Sequence, residues 1–255
     1  MPEDVGLTRL DKGLAIVRGT PILLHEPSST LILGDLHLGY EEAMARTGVF
    51  LPRLQLPRAL HTLKPVVESL KPKRIVVNGD IKHAFDKLLR QEAIEIIKFI
   101  EEVAGMGVKE AVLVRGNHDN FVTGILKKRG VDVLEDYLDL GDGVIVAHGH
   151  KEVDEDYEII IMGHEHPALQ INIGGGKVKY QAFLLVPLDT GATAVVMPAM
   201  GSYQTGNPVT LDRSQYLSPI MRKHAIVEEI VPIITDETIG TLTLPKLKTL
   251  PTILG

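Results

Sequence analysis

No cysteine occurs among the 255 residues, which rules out a disulfide framework, thiolate zinc and iron–sulfur sites, and a thiol nucleophile. No stretch reaches the roughly eighteen uninterrupted apolar residues that a membrane-spanning helix requires. The longest aliphatic runs stop within a few residues at Gly, Asp or His. Excess basic charge is missing too: Lys and Arg number 27 against 33 Asp and Glu, a formal net charge of −6. No general cationic coat therefore draws the chain to nucleic acid, although a local patch or a bound metal would still attract phosphate. Met1 to Leu10 carries Glu3 and Asp4 where a secretory signal has a basic start and an apolar core, so a cytoplasmic protein without membrane association is expected. Low-complexity tracts, internal repeats and clear linkers are also absent. What is present, 44% hydrophobic and 24% charged residues, is the composition of a globular protein. A chain of this length buries about three quarters of its unfolded surface without cross-links. One domain over residues 1–255 is expected, with 199–255 as a C-terminal extension of open role.

Five short aliphatic runs each end at a glycine beside Asp, Asn or His. Leu31 to Leu33 leads into Gly34-Asp35-Leu36-His37, and Ile75 to Val77 into Asn78-Gly79-Asp80. Ala111 to Val114 leads into Gly116-Asn117-His118-Asp119, Val144 to Val146 into His148-Gly149-His150, and Ile159 to Ile161 into Gly163-His164-Glu165-His166. Unalternating Val and Ile predict strands covered on both faces. Between them, Gln55 to Leu70 and Lys87 to Val103 carry apolar residues at helical spacing, predicting two crossover helices, with a shorter third after Asn120 ending near Gly130. From Tyr137 on, hairpins are predicted, with strands at 137–140, 144–147, 169–173 and 177–186 and turns at Asp142-Gly143 and Gly174-Gly175-Gly176. The sheet arrangement is therefore mixed. In the tail, Gly201 to Thr210 reads as loop, Pro219 to Glu229 as helical, and Thr241 to Leu250 as a weak strand interrupted by Pro245.

Ligands of open α/β sheets gather beyond the carboxyl ends of the strands, where all five clusters fall. Asp35 and His37, one residue apart in an extended segment, point to the same side. With Asp80, Asn117, His148, His164 and His166 they supply two carboxylates, an amide oxygen and four imidazoles, more than the protein shell of one ion takes. Two divalent ions are implied. Against two carboxylates they leave a positive site that acidifies a bridging water to a nucleophilic hydroxide and attracts an anion such as phosphate.

The ordered series Asp35-x-His37, Gly79-Asp80, Gly116-Asn117-His118-Asp119, His148-Gly149-His150 and Gly163-His164-x-His166 resembles the calcineurin-like metallophosphoesterase superfamily. More narrowly, Gly34-Asp35-Leu36-His37-Leu38-Gly39 and Gly79-Asp80-Ile81-Lys82-His83 look like its archaeal and bacterial subfamily, whose bacterial members are described as ligase-associated DNA-damage-response phosphoesterases. The resemblance implies a four-layer αββα sandwich of the α/β class. It implies that Asp35, His37 and His166 hold one metal, that Asn117, His148 and His164 hold the other, and that Asp80 bridges. His148 takes the ligand role over His150, and manganese is the habitual metal, with iron or zinc also suiting thiolate-free ligands. His118 is then left as the acid, stabilising the phosphorane-like transition state or protonating the leaving oxygen, with Asp119 fixing its tautomer. Lys82 and His83 are close enough in sequence to Asp80 to touch a bound phosphate, although a solvated Lys and a capping His would look the same. His25, His61 and His224, and the basic clusters at 71–74 and 127–129, read as structural or solvated.

The expected activity is hydrolysis of a phosphate ester by in-line attack without a covalent intermediate. A phosphodiesterase acting on nucleotides or single-stranded nucleic acid is favoured. A small-molecule phosphomonoesterase would share every ligand, and a non-catalytic binding module would be expected to have lost some.

Overall fold

Strands without polar alternation need cover on both faces, and the chain provides it by stacking two mixed sheets. The computed structural model describes residues 5–173 and 176–250. The first sheet holds seven strands in chain order: β1 (Leu7–Arg9), β2 (Leu14–Val17), β3 (Leu23–His25), β4 (Thr30–Leu33), β5 (Arg74–Asn78), β6 (Glu110–Val114) and β7 (Asp132–Leu134). β1 to β4 form an antiparallel meander, and β4 to β7 pair in parallel. Parallel neighbours require crossovers. Helices α1 (Tyr40–Ala45) and α2 (Gln55–Leu70) connect β4 to β5, α3 (Arg90–Gly105) connects β5 to β6, and α4 (Thr123–Lys127) connects β6 to β7. α2 has the predicted bounds. α3 starts three residues later than predicted, because Glu92 reaches back to the Leu89 amide (2.6 Å) and caps the helix there.

The second sheet begins with the predicted hairpin of β8 (Tyr137–Gly141) and β9 (Val144–Ala147), turning at Asp142 and Gly143, both at positive φ. It continues through β10 (Ile159–Met162), β11 (Pro167–Ile173), β12 (Gly176–Pro187), β13 (Thr193–Val196) and the two-residue β14 (Asn207–Pro208) in the order β14-β11-β12-β13-β10-β9-β8. β9, β10 and β13 are parallel. Gly174 and Gly175 of the predicted turn lie outside the described residues.

Between the sheets Ile16, Ile32, Val76 and Val112 meet Val146, Ile161, Phe183 and Ile233 in one apolar cluster. α2 and α3 cover the outer face of the first sheet through Leu63, Val67, Ile96 and Phe99. The fourth layer is thin: α5 (Pro219–His224) and neighbouring turns place Tyr216, Ile220, Met221 and Leu247 on the second sheet. The helix predicted over Pro219 to Glu229 stops at His224. Ala225 is extended and bridges Leu188, and the Ile226 amide donates to Pro187 O (2.9 Å). The tail also supplies β15 (Val231–Asp236), paired to β12, and β16 (Gly240–Thr243), after which Pro245 stops the strand.

Candidate metal centre

The five polar clusters follow β4, β5, β6, β9 and β10, and the two sheets bring their ends together. The Asp35 amide donates to Gly79 O (3.0 Å) and the His37 amide to Asp80 O (2.9 Å), so the loops after β4 and β5 are stitched as they leave the sheet. Besides a histidine trio of His37, His83 and His118, two carboxylate-containing groups of ligand-type atoms result, Asp35 with His37, Asp80 and His166, and Asp80 with His148 and His164. Within each group the atoms lie within 4.8 Å of one another, and Asp80 belongs to both. In the first, His166 Nε2 is 3.0 Å from Asp35 Oδ1 and 3.5 Å from His37 Nε2. In the second, His148 Nε2 is 3.4 Å from Asp80 Oδ2.

The donor set fits divalent metal on observations of its own. Asn117 Oδ1 and His148 Nε2 are buried and meet no hydrogen-bond partner among the described residues, an arrangement that costs free energy unless something else satisfies them. His148 Nδ1 donates to Asn78 O (3.1 Å), which leaves Nε2 as the ring atom facing Asp80. Burial drives the His37 imidazole down to about 3 and that of His164 to about 4, so both rings are neutral at pH 7 and offer lone pairs. Burial pushes the Asp35 and Asp80 carboxyls up, but the surrounding imidazoles, His166 for Asp35 and His148 for Asp80, outweigh it and hold both below the usual carboxylate range. Burial disfavours charge on His148, yet Asp80 and Asp35 raise it to about 10. Two buried carboxylates that demand a cation describe a site built for positive charge.

Local backbone strain accompanies this convergence. Asp35, His37, Asp80, His164 and His166 all hold φ between 45° and 65°, a region that side-chain-bearing residues seldom enter and that clusters at functional sites. Gly79, also at positive φ, packs against His148 so closely that a Cβ there would lie 2.0 Å from Nδ1.

His118 stands beside these ligands, half-exposed, its amide on Asp80 Oδ1 (3.0 Å) and its Nε2 3.9 Å from Asp80 Oδ2. Its Nδ1 is bonded to the His83 carbonyl. That corrects the expectation for Asp119. The Asp119 carboxylate is buried and accepts the amides of Asp80 (2.8 Å), Ile81 (2.9 Å) and Gly116 (2.8 Å), tying the β5 and β6 loops together and leaving the His118 ring to His83. Lys82 is corrected as well: it is fully buried, and its amine donates to the carbonyls of Ala84 and Lys87 (3.0 Å for the latter), so it is not presented to a phosphate. His83 does sit at the site, with Nδ1 3.3 Å from His37 Nδ1, and burial takes it down to about 4. His150 packs against the His148 ring, with centroids 5.3 Å apart.

Two residues that were not among the predicted site residues hold the ligand loops. Buried Gln55 donates to the carbonyls of Leu36 (3.0 Å) and His37 (3.4 Å) and accepts the Tyr203 amide (3.1 Å). Glu165, between the ligand-type His164 and His166, turns inward and accepts the amides of Leu217 (3.0 Å) and Ser218 (2.6 Å). Its place inside Gly-His-x-His was a visible signal; nothing in the sequence marked Gln55.

The calcineurin-like phosphoesterase family profile matches residues 28–185, a span that contains all of these polar clusters. No curated protein matches the chain. Among solved structures, the nuclease MPE of Pseudomonas putida is similar with a TM-score of 0.65 at 14% identity, over 94% of this chain and 100% of that one. YfcE, a phosphoesterase from E. coli, is similar with a TM-score of 0.42 at 17% identity, over 70% of this chain and 84% of that one.

Proposed function

The chain belongs to the calcineurin-like phosphoesterase family, metal-dependent hydrolases of phosphate esters, and we propose that it is a dinuclear phosphodiesterase acting on nucleotide or nucleic-acid diesters. The observation that carries the dinuclear reading is the pair of ligand clusters sharing Asp80. Asp35, His37 and His166 would hold one ion, Asn117, His148 and His164 the other, and Asp80 both. Two divalent ions supply, when bound, an acidified water and a field that stabilises negative charge on a phosphoryl group. Manganese is proposed on the thiolate-free donor set, with iron and zinc as the alternatives a metal analysis would return.

The chain's own residues contribute the proton. A carbonyl only accepts, so the bond to His83 O places a hydrogen on His118 Nδ1 and fixes the ring. Nε2 is then the atom that carries the second hydrogen of the imidazolium and hands it to a leaving alkoxide. Asp119 acts one step back, holding the backbone that carries Asp80 and His118. Glu165 fastens the His164–His166 segment to the start of α5.

Diester over monoester is supported by the resemblance of Gly34 to Gly39 and Gly79 to His83 to the ligase-associated subfamily, and by the fold shared with a protein that is itself a nuclease. No helix among the described residues is long and apolar enough to cross a membrane, and a cytoplasmic site of action is proposed. The whole chain is read as one domain, because β15 of the tail pairs with β12. The test is hydrolysis of a chromogenic aryl phosphodiester with added manganese, before and after chelation, alongside monoesters, cyclic nucleotides, single-stranded DNA and RNA. Chelator-sensitive diester cleavage is expected. Brisk monoester hydrolysis with inert diesters would replace this reading by a phosphatase.

A further inference from the structure

Aromatic side chains are few in this chain, five Phe and six Tyr with no Trp, yet a connected row of rings runs beside the metal centre. Phe85 stands edge-on to His118 with centroids 5.7 Å apart. His118 and His83 are stacked, 5.7 Å apart and 22° from parallel. His83 meets Tyr40 at 4.6 Å, and Tyr40 is stacked on Tyr203 at 5.4 Å and 17°. The row passes the ligand-type residues directly, since nitrogens of His83 and His118 lie within 4.8 Å of one on His37.

The ends of the row are held in place. Tyr203 is anchored by its hydroxyl on Pro52 O (2.6 Å) and by its amide on the same Gln55 that supports the His37 segment. At the other end the Asn120 side chain donates from Nδ2 to Phe85 O (3.2 Å). Phe85 nevertheless leaves 57% of its surface in water, and the residue after Asn120, Phe121, is 65% exposed at a φ of +70°. Keeping phenylalanines exposed forgoes burial, and a bulky residue in left-handed conformation adds strain. Together they mark a surface shaped for a ligand.

The cavity that adjoins the Tyr203 end is not lined by charge of one sign. The cavity of about 580 Å³ that includes Ser202, next to Tyr203, sets Arg58, His61 and Lys179 against Asp236 and Glu237. The whole chain is negative. Away from the metal centre a polyanion gains little from its phosphates, whereas planar rings recognise planar rings.

We propose that the row Phe85, His118, His83, Tyr40 and Tyr203 is a stacking platform for the bases of a single polynucleotide strand, which makes base-bearing strands the preferred substrates of the diesterase proposed above. Only an unpaired strand has free base faces to offer. Stacking does not read the sugar, so DNA and RNA strands are both accepted.

The test is binding of labelled ten-residue oligothymidylate and oligouridylate, against an abasic strand of equal length and charge, measured by fluorescence anisotropy with the full chain in chelator to prevent cleavage. Base-bearing strands should bind the wild type on the order of tenfold more tightly than the abasic strand. The double variant Phe85→Leu/Tyr203→Leu should bring that ratio close to one, and Phe85→Trp/Tyr203→Phe should restore it. Equal affinities in the wild type, or an unchanged ratio in the leucine variant with its circular dichroism intact, would overturn the platform. Hydrolysis of the small aryl diester by the metal-loaded wild type separates the two proposals. Hydrolysis with equal strand affinities removes the platform alone, whereas strand preference without hydrolysis keeps the platform and removes the phosphodiesterase.

Discussion

Gly116 approaches Asp80 so closely that a Cβ on the glycine would lie 2.2 Å from Asp80 Oδ1, 2.6 Å from its amide and 2.9 Å from His148 Nε2. The carboxylate shared by both ligand clusters is thus seated against a position that has room for hydrogen alone. Gly116→Ala should push Asp80 out of register, lower the metal bound per chain and reduce turnover by about tenfold or more, while circular dichroism shows the fold retained. The measurement is metal content by mass spectrometry of purified protein. Wild-type metal content with wild-type turnover would show that Asp80 tolerates the shift and is not held by this contact.

Asp80→Ala itself should abolish hydrolysis and lower metal content further than His150→Ala does. Asp80 is the one residue common to both clusters, whereas His150 belongs to neither and packs against the rings of His148 and His164. Two metals per chain and near-normal turnover in the Asp80 variant would refute its bridging role.

Binding and chemistry should separate at His118. Its amide, not its ring, bonds Asp80 Oδ1, so His118→Ala should retain both metals and still lose on the order of a hundredfold in turnover. The loss should be smaller for an aryl ester, whose leaving oxygen scarcely needs a proton, than for an alkyl ester. Equal losses on both would assign the ring to charge stabilisation, and loss of metal would make it a ligand.

The ligand-type residues were legible because each follows a buried aliphatic run, and a strand end carries its side chains to the same edge of a sheet as its parallel neighbours do. Adjacency misled where a tight turn intervened. Asp119 follows His118 in sequence, but the turn sends its carboxylate inward to three amides and leaves His118 at the surface of the cleft. Lys82 lies two residues from Asp80, and nothing in that spacing says that its amine is enclosed by the carbonyls of its own loop. Tyr203 and Gln55 reach the site from distant segments, a relationship that only tertiary packing creates. The tail was opaque for a related reason: β15 pairs with β12, about fifty residues earlier, so its place was set by a long-range partner.

That pairing makes the tail part of the core. Ile233 on β15 lies opposite Phe183 and is 1% exposed within the inter-sheet cluster. Ile233→Ala should cost about 2–5 kcal/mol, the usual range for emptying a packed aliphatic site, read as a lowered urea midpoint. A cost below about 1 kcal/mol would instead describe residues 199–250 as a loosely attached extension.

Salt dependence tests how a negative chain holds a polyanion. With a net charge of −6 and Lys82 engaged by backbone carbonyls, no general cationic field neutralises the phosphates of a strand. Each phosphate contact on a single strand contributes about −0.7 to the slope of log affinity against log salt, so one to three contacts predict a slope between about −0.7 and −2. Lys82→Ala should leave that slope unchanged, because its amine does not reach the strand. The variant should lose stability, by roughly 1–3 kcal/mol for buried carbonyls deprived of their donor. The two readouts therefore move independently: thermal unfolding shifts and the salt slope does not. A slope that falls in the variant would return Lys82 to the phosphate path, and a steep slope untouched by Lys82 would place the contacts on the basic clusters at 71–74 or 127–129.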